Sequence, residues 1–112
     1  MKIVRGDVFY VFPSEAKNCG SEQIDGRPAV IVSNNANNAF STVVEVVYLT
    51  KQEKKPLPTH VKINIKGKES TVLCEQIDSV SVEKLGKHIG RVRYKELELI
   101  DEALKVSLSL HK

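Results

Sequence analysis

Two residues carry the most specific chemical promise in this chain: Arg27, at the mouth of one short apolar run, and Thr50, at the end of the next. Pro28 lacks a backbone N–H and within sheets is confined to strand starts, edges and bulges, so it marks the beginning of a strand over 28–33. The residue before a proline is kept out of the helical region, which leaves Arg27 extended with its guanidinium at the strand mouth. Five donors in a planar fork suit that group to gripping two oxygens of a phosphate. The run 42–50 is rich in β-branched residues and predicts the next strand, antiparallel to the first across an Asn- and Ala-rich turn at 34–41. If residue 34 faces residue 43, paired numbers total 77 and Arg27 faces Thr50. A one-residue bulge would break that register. A cation and a hydroxyl at one end of a hairpin form a reactive constellation. The ordinary alternatives are an ion pair of Arg27 with Glu22 or Asp25, and a Thr50 that merely closes a strand.

The elements that must position this pair follow from the pattern. A strand at 6–12 holds three of the six aromatic residues and stops at Pro13. Residues 14–26 show neither helical nor strand period and predict a long surface loop of the kind that binds or moves. Lys51, Lys54 and Lys55 lie in a proline-stiffened segment leaving Thr50, either as a solvated loop or as an attraction for phosphates. Val61, Ile63 and Ile65 alternate with Lys62 and Asn64, predicting a strand at 59–65 that turns at 66–68 into another at 70–80. Ser81 caps one or two helical turns ending at Gly86, and 88–92 adds a short strand. Leu97, Ile100, Ala103, Leu104 and Leu108 trace a helical face within 93–110, whose last turn also fits strand alternation. Short antiparallel strands closed by a helix must curl to bury a face, giving a mainly β fold with α: a small, partly open barrel of about five to seven strands.

Composition bounds the rest. The 112 residues suit one domain spanning 1–112. Hydrophobic content of 41% and charged content of 28% are those of a soluble globule. No apolar run approaches the roughly 20 residues that cross a bilayer, and residues 1–7 lack a signal-peptide core, so a cytoplasmic protein without membrane contact is expected. Cys19 and Cys74 have no ligand-like spacing and read as reduced thiols, with no metal site. A net charge of +3 permits nucleic acid or an acidic protein as partner and demands neither.

Read end to end, the chain resembles the MazF/PemK toxins, ribosome-independent endoribonucleases of bacterial toxin–antitoxin modules. The likeness rests on Arg5-Gly6-Asp7-Val8, Gly20-Ser21-Glu22-Gln23 followed by Arg27-Pro28, Leu57-Pro58-Thr59-His60-Val61, Glu75-Gln76-Ile77 and Asp101-Glu102-Ala103-Leu104. Each is weak alone, and their order and spacing make them specific; the Gram-positive subgroup is most similar. The resemblance implies an SH3-like barrel (MazF/PemK/CcdB-like) that dimerises, binds single-stranded RNA along the dimer interface and cuts it without metal or other cofactor. It places the catalytic arginine on Arg27 and the catalytic hydroxyl on Thr50. It implies a gate over the groove at Ser21, Glu22 and Gln23, an RNA contact at Gln76, and inhibition by a small acidic antitoxin (MazE-like) whose tail occupies that groove.

Such cleavage needs a base, an acid and donors for the crowded phosphoryl oxygens. Arg27 fits the third role and not the first, because a guanidinium is almost never deprotonated near neutrality. His60, His88 and His111 have no flanking orienter in sequence and read as structural or solvent-facing; Glu22 and Glu75 read as exposed carboxylates. Two rivals share the fold: a toxin that poisons a protein target through an aromatic tail, disfavoured by a chain without Trp, and a nucleic-acid-binding barrel without turnover.

Overall fold

The computed structural model describes residues 2–12, 26–52 and 54–110. Its elements are β1 (Asp7–Val11), β2 (Arg27–Ile31), α1 (Asn35–Phe40), β3 (Val43–Thr50), β4 (His60–Ile65), β5 (Lys68–Ser81), a 3-10 turn (Val82–Lys84), β6 (Leu85–Arg91) and α2 (Tyr94–Ser107). The strands form one antiparallel sheet of six in the order β4-β5-β3-β2-β1-β6. It curls until Gly90 on β6 lies against Ile65 on β4, yet those outer strands do not pair, so the barrel stays open. The expected mainly β barrel with a closing helix is therefore the observed one.

Alternation along the strands gives the sheet two apolar faces. Val8, Val30, Val47, Leu49, Val61, Ile63, Ile65, Val72 and Cys74 line the concave side, which Ile100 and Ala103 of α2 close. Phe9, Val11, Ala29, Ile31, Val44, Val46 and Val80 form a second cluster on the other side. Glu96 fastens α2 to the sheet: its carboxylate accepts from the Arg93 N–H at the helix start and from the Asn64 N–H of β4, both at 2.8 Å. Burial works to raise its pKa, but those bonds and the Arg93 guanidinium hold it below the usual carboxylate range. Two motif residues of the N-terminal segment serve the fold in the same way. Arg5 donates to the Val32 carbonyl and to Asp101 of α2 at 2.7 Å. Asp7, only 2% exposed, accepts from the Val4 N–H, His88 and Arg91.

Two expectations are corrected. The 34–41 segment is no mere turn but contains α1, a short helix started by Asn34, whose side chain accepts from the Asn37 N–H at 2.8 Å. Buried Asn38 secures it by donating to the Ser33 carbonyl, a polar tether that an apolar-period search does not detect. At the C-terminus α2 ends at Ser107, with Ser109 in a left-handed turn, so the strand option at 106–110 is excluded. The loop expected at 14–26 lies, apart from Gly26, outside the described residues.

Candidate active site

The β2–β3 ladder pairs Ala29 with Tyr48, Val30 with Val47 and Ile31 with Val46, so paired numbers total 77 as the hairpin argument required. Continuing two residues along that register brings Arg27 opposite Thr50. Adjacent strands lie about 4.8 Å apart, and residues directly opposite share a face. Thr50 and Tyr48 also share that face by alternation. Gly26 lets β2 enter so closely: a Cβ there would sit 2.9 Å from the Val11 carbonyl oxygen, a clash with backbone that cannot yield.

The same level of the sheet continues away from Arg27. Thr50 pairs with Thr71 on β5, and Thr71 with Lys62 on β4, making a polar row across four strands. Lys62 and Thr71 join Lys51, Lys54 and Lys55 around a hollow of about 430 Å³, with Glu69 the one acidic residue lining it among the described residues. The three loop lysines expected near the site are therefore gathered beside it, together with a fourth cation, the exposed Lys62. Thr50 Oγ1 accepts from the Gln52 N–H at 3.1 Å, which leaves its own proton to donate.

A three-residue bulge builds the other wall. Val47 pairs with Ile77 and Tyr48 with Leu73, so Cys74, Glu75 and Gln76 have no partners on β3. Gln76 is thereby thrown toward Arg27 and accepts a hydrogen bond from its guanidinium at 2.8 Å. Glu75 points the other way along the loop, accepting from the Thr59 hydroxyl at 2.7 Å and meeting His60 Nε2 at 3.0 Å. His60 Nδ1 faces the Lys55 carbonyl, so the lysine-bearing loop is tied to β5. Burial pushes the Glu75 carboxyl upward, but the bonds from Thr59 and His60 outweigh it and keep it below its ordinary value. Cys74 points into the concave core, where burial and the neighbouring Glu75 push its thiol up to about 12, leaving it unreactive.

Arg27 rests on the ring of Tyr48, 4.2 Å from the centroid. The Tyr48 phenol donates to Asp78 at 2.7 Å. No described carboxylate forms a salt bridge with Arg27; Glu22 and Asp25, the ion-pair partners considered from sequence, lie outside the described residues, as do Ser21 and Gln23. Among the described residues no three His, Cys, Asp or Glu side chains gather as a metal-binding group.

The structure brings Arg27, Thr50, Gln76 and the three lysines into one region. Sequence reasoning missed Tyr48 and Asp78 as neighbours of Arg27, and missed the orienting carboxylates of His60 and His88, which come from positions 15 and 81 residues away. One signal for the bulge was present. Buried positions of β5 fall on even numbers at Val72 and Cys74, then the residue on the same core becomes Ile77. That slip of phase marks an odd number of extra residues.

Residues 4–108 match the family described as "PemK-like, MazF-like toxin of type II toxin-antitoxin system". The chain is 36% identical to endoribonuclease EndoA of Bacillus subtilis, covering 98% of this chain and 97% of that protein. It is 39% identical to endoribonuclease MazF9 of Mycobacterium tuberculosis over 95% and 96% of the two. Among solved structures, a mycobacterial endoribonuclease in complex with its cognate antitoxin superposes with a TM-score of 0.82 at 26% identity, covering 98% of both chains.

Proposed function

The chain belongs to the family of PemK-like, MazF-like toxins of type II toxin–antitoxin systems and is an endoribonuclease, and we propose that it cuts single-stranded RNA at a short preferred sequence, needing neither ribosome nor metal ion. The observation that supports the reading is the β2–β3 register, which, continued two residues beyond the Ala29–Tyr48 pair, sets Arg27 and Thr50 opposite each other on one face. The ribose 2′-OH attacks the adjacent phosphorus, the O2′–P bond forms as the P–O5′ bond breaks, and the products are a 2′,3′-cyclic phosphate and a free 5′-OH. Negative charge accumulates on the non-bridging oxygens in the transition state. Arg27, with a permanent charge and edge N–H groups, grips them, and Thr50 donates a second hydrogen bond.

Phosphates flanking the cut lie along the hollow of Lys51, Lys54 and Lys55, which gives affinity without base selectivity. Gln76 contributes an RNA contact from the bulge, and Ser21, Glu22 and Gln23 gate the groove. The protein works as a cytoplasmic homodimer with the RNA groove along its interface; Phe40, 90% exposed near exposed Val43, is an apolar spot of the kind a partner covers. No helix among the described residues is long and apolar enough to cross a membrane. A small acidic antitoxin complements the net charge of +3 and silences the enzyme by filling the groove.

The test is incubation of the purified protein with a long unstructured RNA in EDTA, followed by mapping of the ends. Site-specific cuts bearing cyclic phosphate are expected. Intact RNA that nevertheless stays bound overturns the proposal in favour of a binding module without turnover.

A further inference from the structure

An arginine side chain with four rotatable bonds is an imprecise instrument unless something holds it. Here two contacts do so. One guanidinium N–H is engaged by Gln76 at 2.8 Å, and the guanidinium carbon lies over the Tyr48 ring, 4.2 Å from its centroid, well inside the roughly 6 Å reach of a cation–π contact. Tyr48 is itself held at both ends. Its ring packs against the cluster containing Phe9, Ala29 and Val46, and its hydroxyl donates to Asp78, the residue opposite Val46 on the far side of the β5 bulge.

We propose that Tyr48, locked by Asp78, is the positioning residue that fixes the plane of the Arg27 guanidinium for the scissile phosphate; this rests on the reading of Arg27 as the phosphate-gripping group. The geometry suits the task. A ring beneath the guanidinium occupies a flat face, where no N–H points, and leaves the edge donors not used by Gln76 to reach phosphoryl oxygens. A hydrogen bond to a carboxylate makes the phenol more electron-rich, which strengthens its hold on a cation. The phenol also stays protonated at any working pH, because burial and then Asp78 push its pKa up to about 12. It therefore never becomes a phenolate that would neutralise Arg27. With orientation settled before RNA arrives, less rotamer freedom is lost in the transition state. The competing role, a stacking platform for a base, is opposed by the guanidinium already covering one ring face.

The test is steady-state cleavage of a short fluorogenic RNA by Tyr48→Leu, Tyr48→Phe and Asp78→Asn, each checked for folding by thermal melting. Tyr48→Leu is expected to lower kcat roughly three- to thirtyfold with KM changed less than about twofold, the range a partly desolvated cation–π contact supplies. Tyr48→Phe, which keeps the ring, should restore most of that loss. Asp78→Asn, which keeps an oxygen acceptor but takes the carboxylate charge out of the phenol hydrogen bond, should lower kcat about two- to fivefold, and combining it with Tyr48→Phe should cost little more than Tyr48→Phe alone, since the Phe variant has no hydroxyl left to donate to residue 78. Asp78 is exposed, so its variant decides the matter if Tyr48→Leu does not fold. Wild-type kcat in Tyr48→Leu, a rise in KM alone, equal losses in Leu and Phe variants, or full activity in Asp78→Asn with Tyr48→Leu unfolded each overturns the inference. An Arg27→Ala variant run alongside separates the two readings: if it cuts at the wild-type rate the role of Arg27 falls, whereas an inactive Arg27→Ala beside a fully active Tyr48→Leu removes only the role of Tyr48.

Discussion

Replacing Arg27 should separate catalysis from stability by a wide margin, because the residue is exposed and its contacts among the described residues are few. Arg27→Ala removes one exposed hydrogen bond, to Gln76, and one cation–π contact with Tyr48. Together these are worth about 1 kcal/mol of folding free energy, against the 5–15 kcal/mol typical of a domain. In the proposed mechanism the same side chain is the permanent charge facing the phosphoryl oxygens, and losing such a donor costs roughly a hundredfold to a thousandfold in kcat, or about 3–4 kcal/mol. Arg27→Lys retains charge but not the fork, so it cannot hold Gln76 and two phosphate oxygens together; at least a tenfold loss is expected. The assay is single-turnover cleavage of a fluorogenic RNA in EDTA, with urea unfolding and fluorescence anisotropy on the same preparations. Expected are a collapse of the cleavage rate, a melting curve close to wild type and RNA affinity largely retained through the lysines. A folded Arg27→Ala protein that keeps more than about a tenth of the wild-type rate refutes the reasoning.

Three further outcomes follow from the same geometry. Thr50→Val, which keeps the β-branched shape and gives up only the exposed bond from the Gln52 N–H, should lower kcat about ten- to a hundredfold with a stability loss under about 1 kcal/mol, and an unchanged rate in the cleavage assay would remove the hydroxyl from the mechanism. Replacing Lys51, Lys54 and Lys55 with Ala should reduce the slope of log affinity against log salt by up to about 2, since each phosphate contact on a single strand contributes about 0.7; an unchanged slope in anisotropy titrations returns them to solvent. Asp7, Glu75 and Glu96 all have carboxyls held below their ordinary range, so the stability they lend is fully present above about pH 4–5 and is lost as pH falls through their folded-state values. Urea melts should therefore show a plateau near neutrality and a decline below about pH 4, and Glu96→Ala, which leaves the Arg93 and Asn64 N–H groups without their acceptor, should lower the plateau by roughly 2–3 kcal/mol.

The strands were legible because each leaves a local trace. Pro28 falls one residue inside the start of β2, Val61, Ile63 and Ile65 alternate cleanly, and Lys66 with Gly67, both at positive φ, make the tight turn between β4 and β5. The hairpin register was legible for the same reason, since side-chain period and connection length admit few pairings, and an unbroken register carries Arg27 opposite Thr50. What stayed hidden is what has no local trace. Asn34 and Asn38 build a helix by hydrogen bonds rather than by an apolar stripe.

The composition and order of residues 27–50 thus determined by themselves that a guanidinium and a hydroxyl share one strand end, because antiparallel pairing converts spacing along the chain into neighbourhood. Only the tertiary structure decided what surrounds them. The ring of Tyr48 on β3, the amide of Gln76 and the carboxylate of Asp78 on β5, and the Lys62 ammonium on β4 arrive from three strands, and a bulge betrayed only by a slip in the burial phase of β5 places two of them. Contacts between residues 16 to 49 positions apart depend on how far a whole sheet twists and curls, a quantity fixed by packing on both faces at once and carried by no single stretch of the sequence.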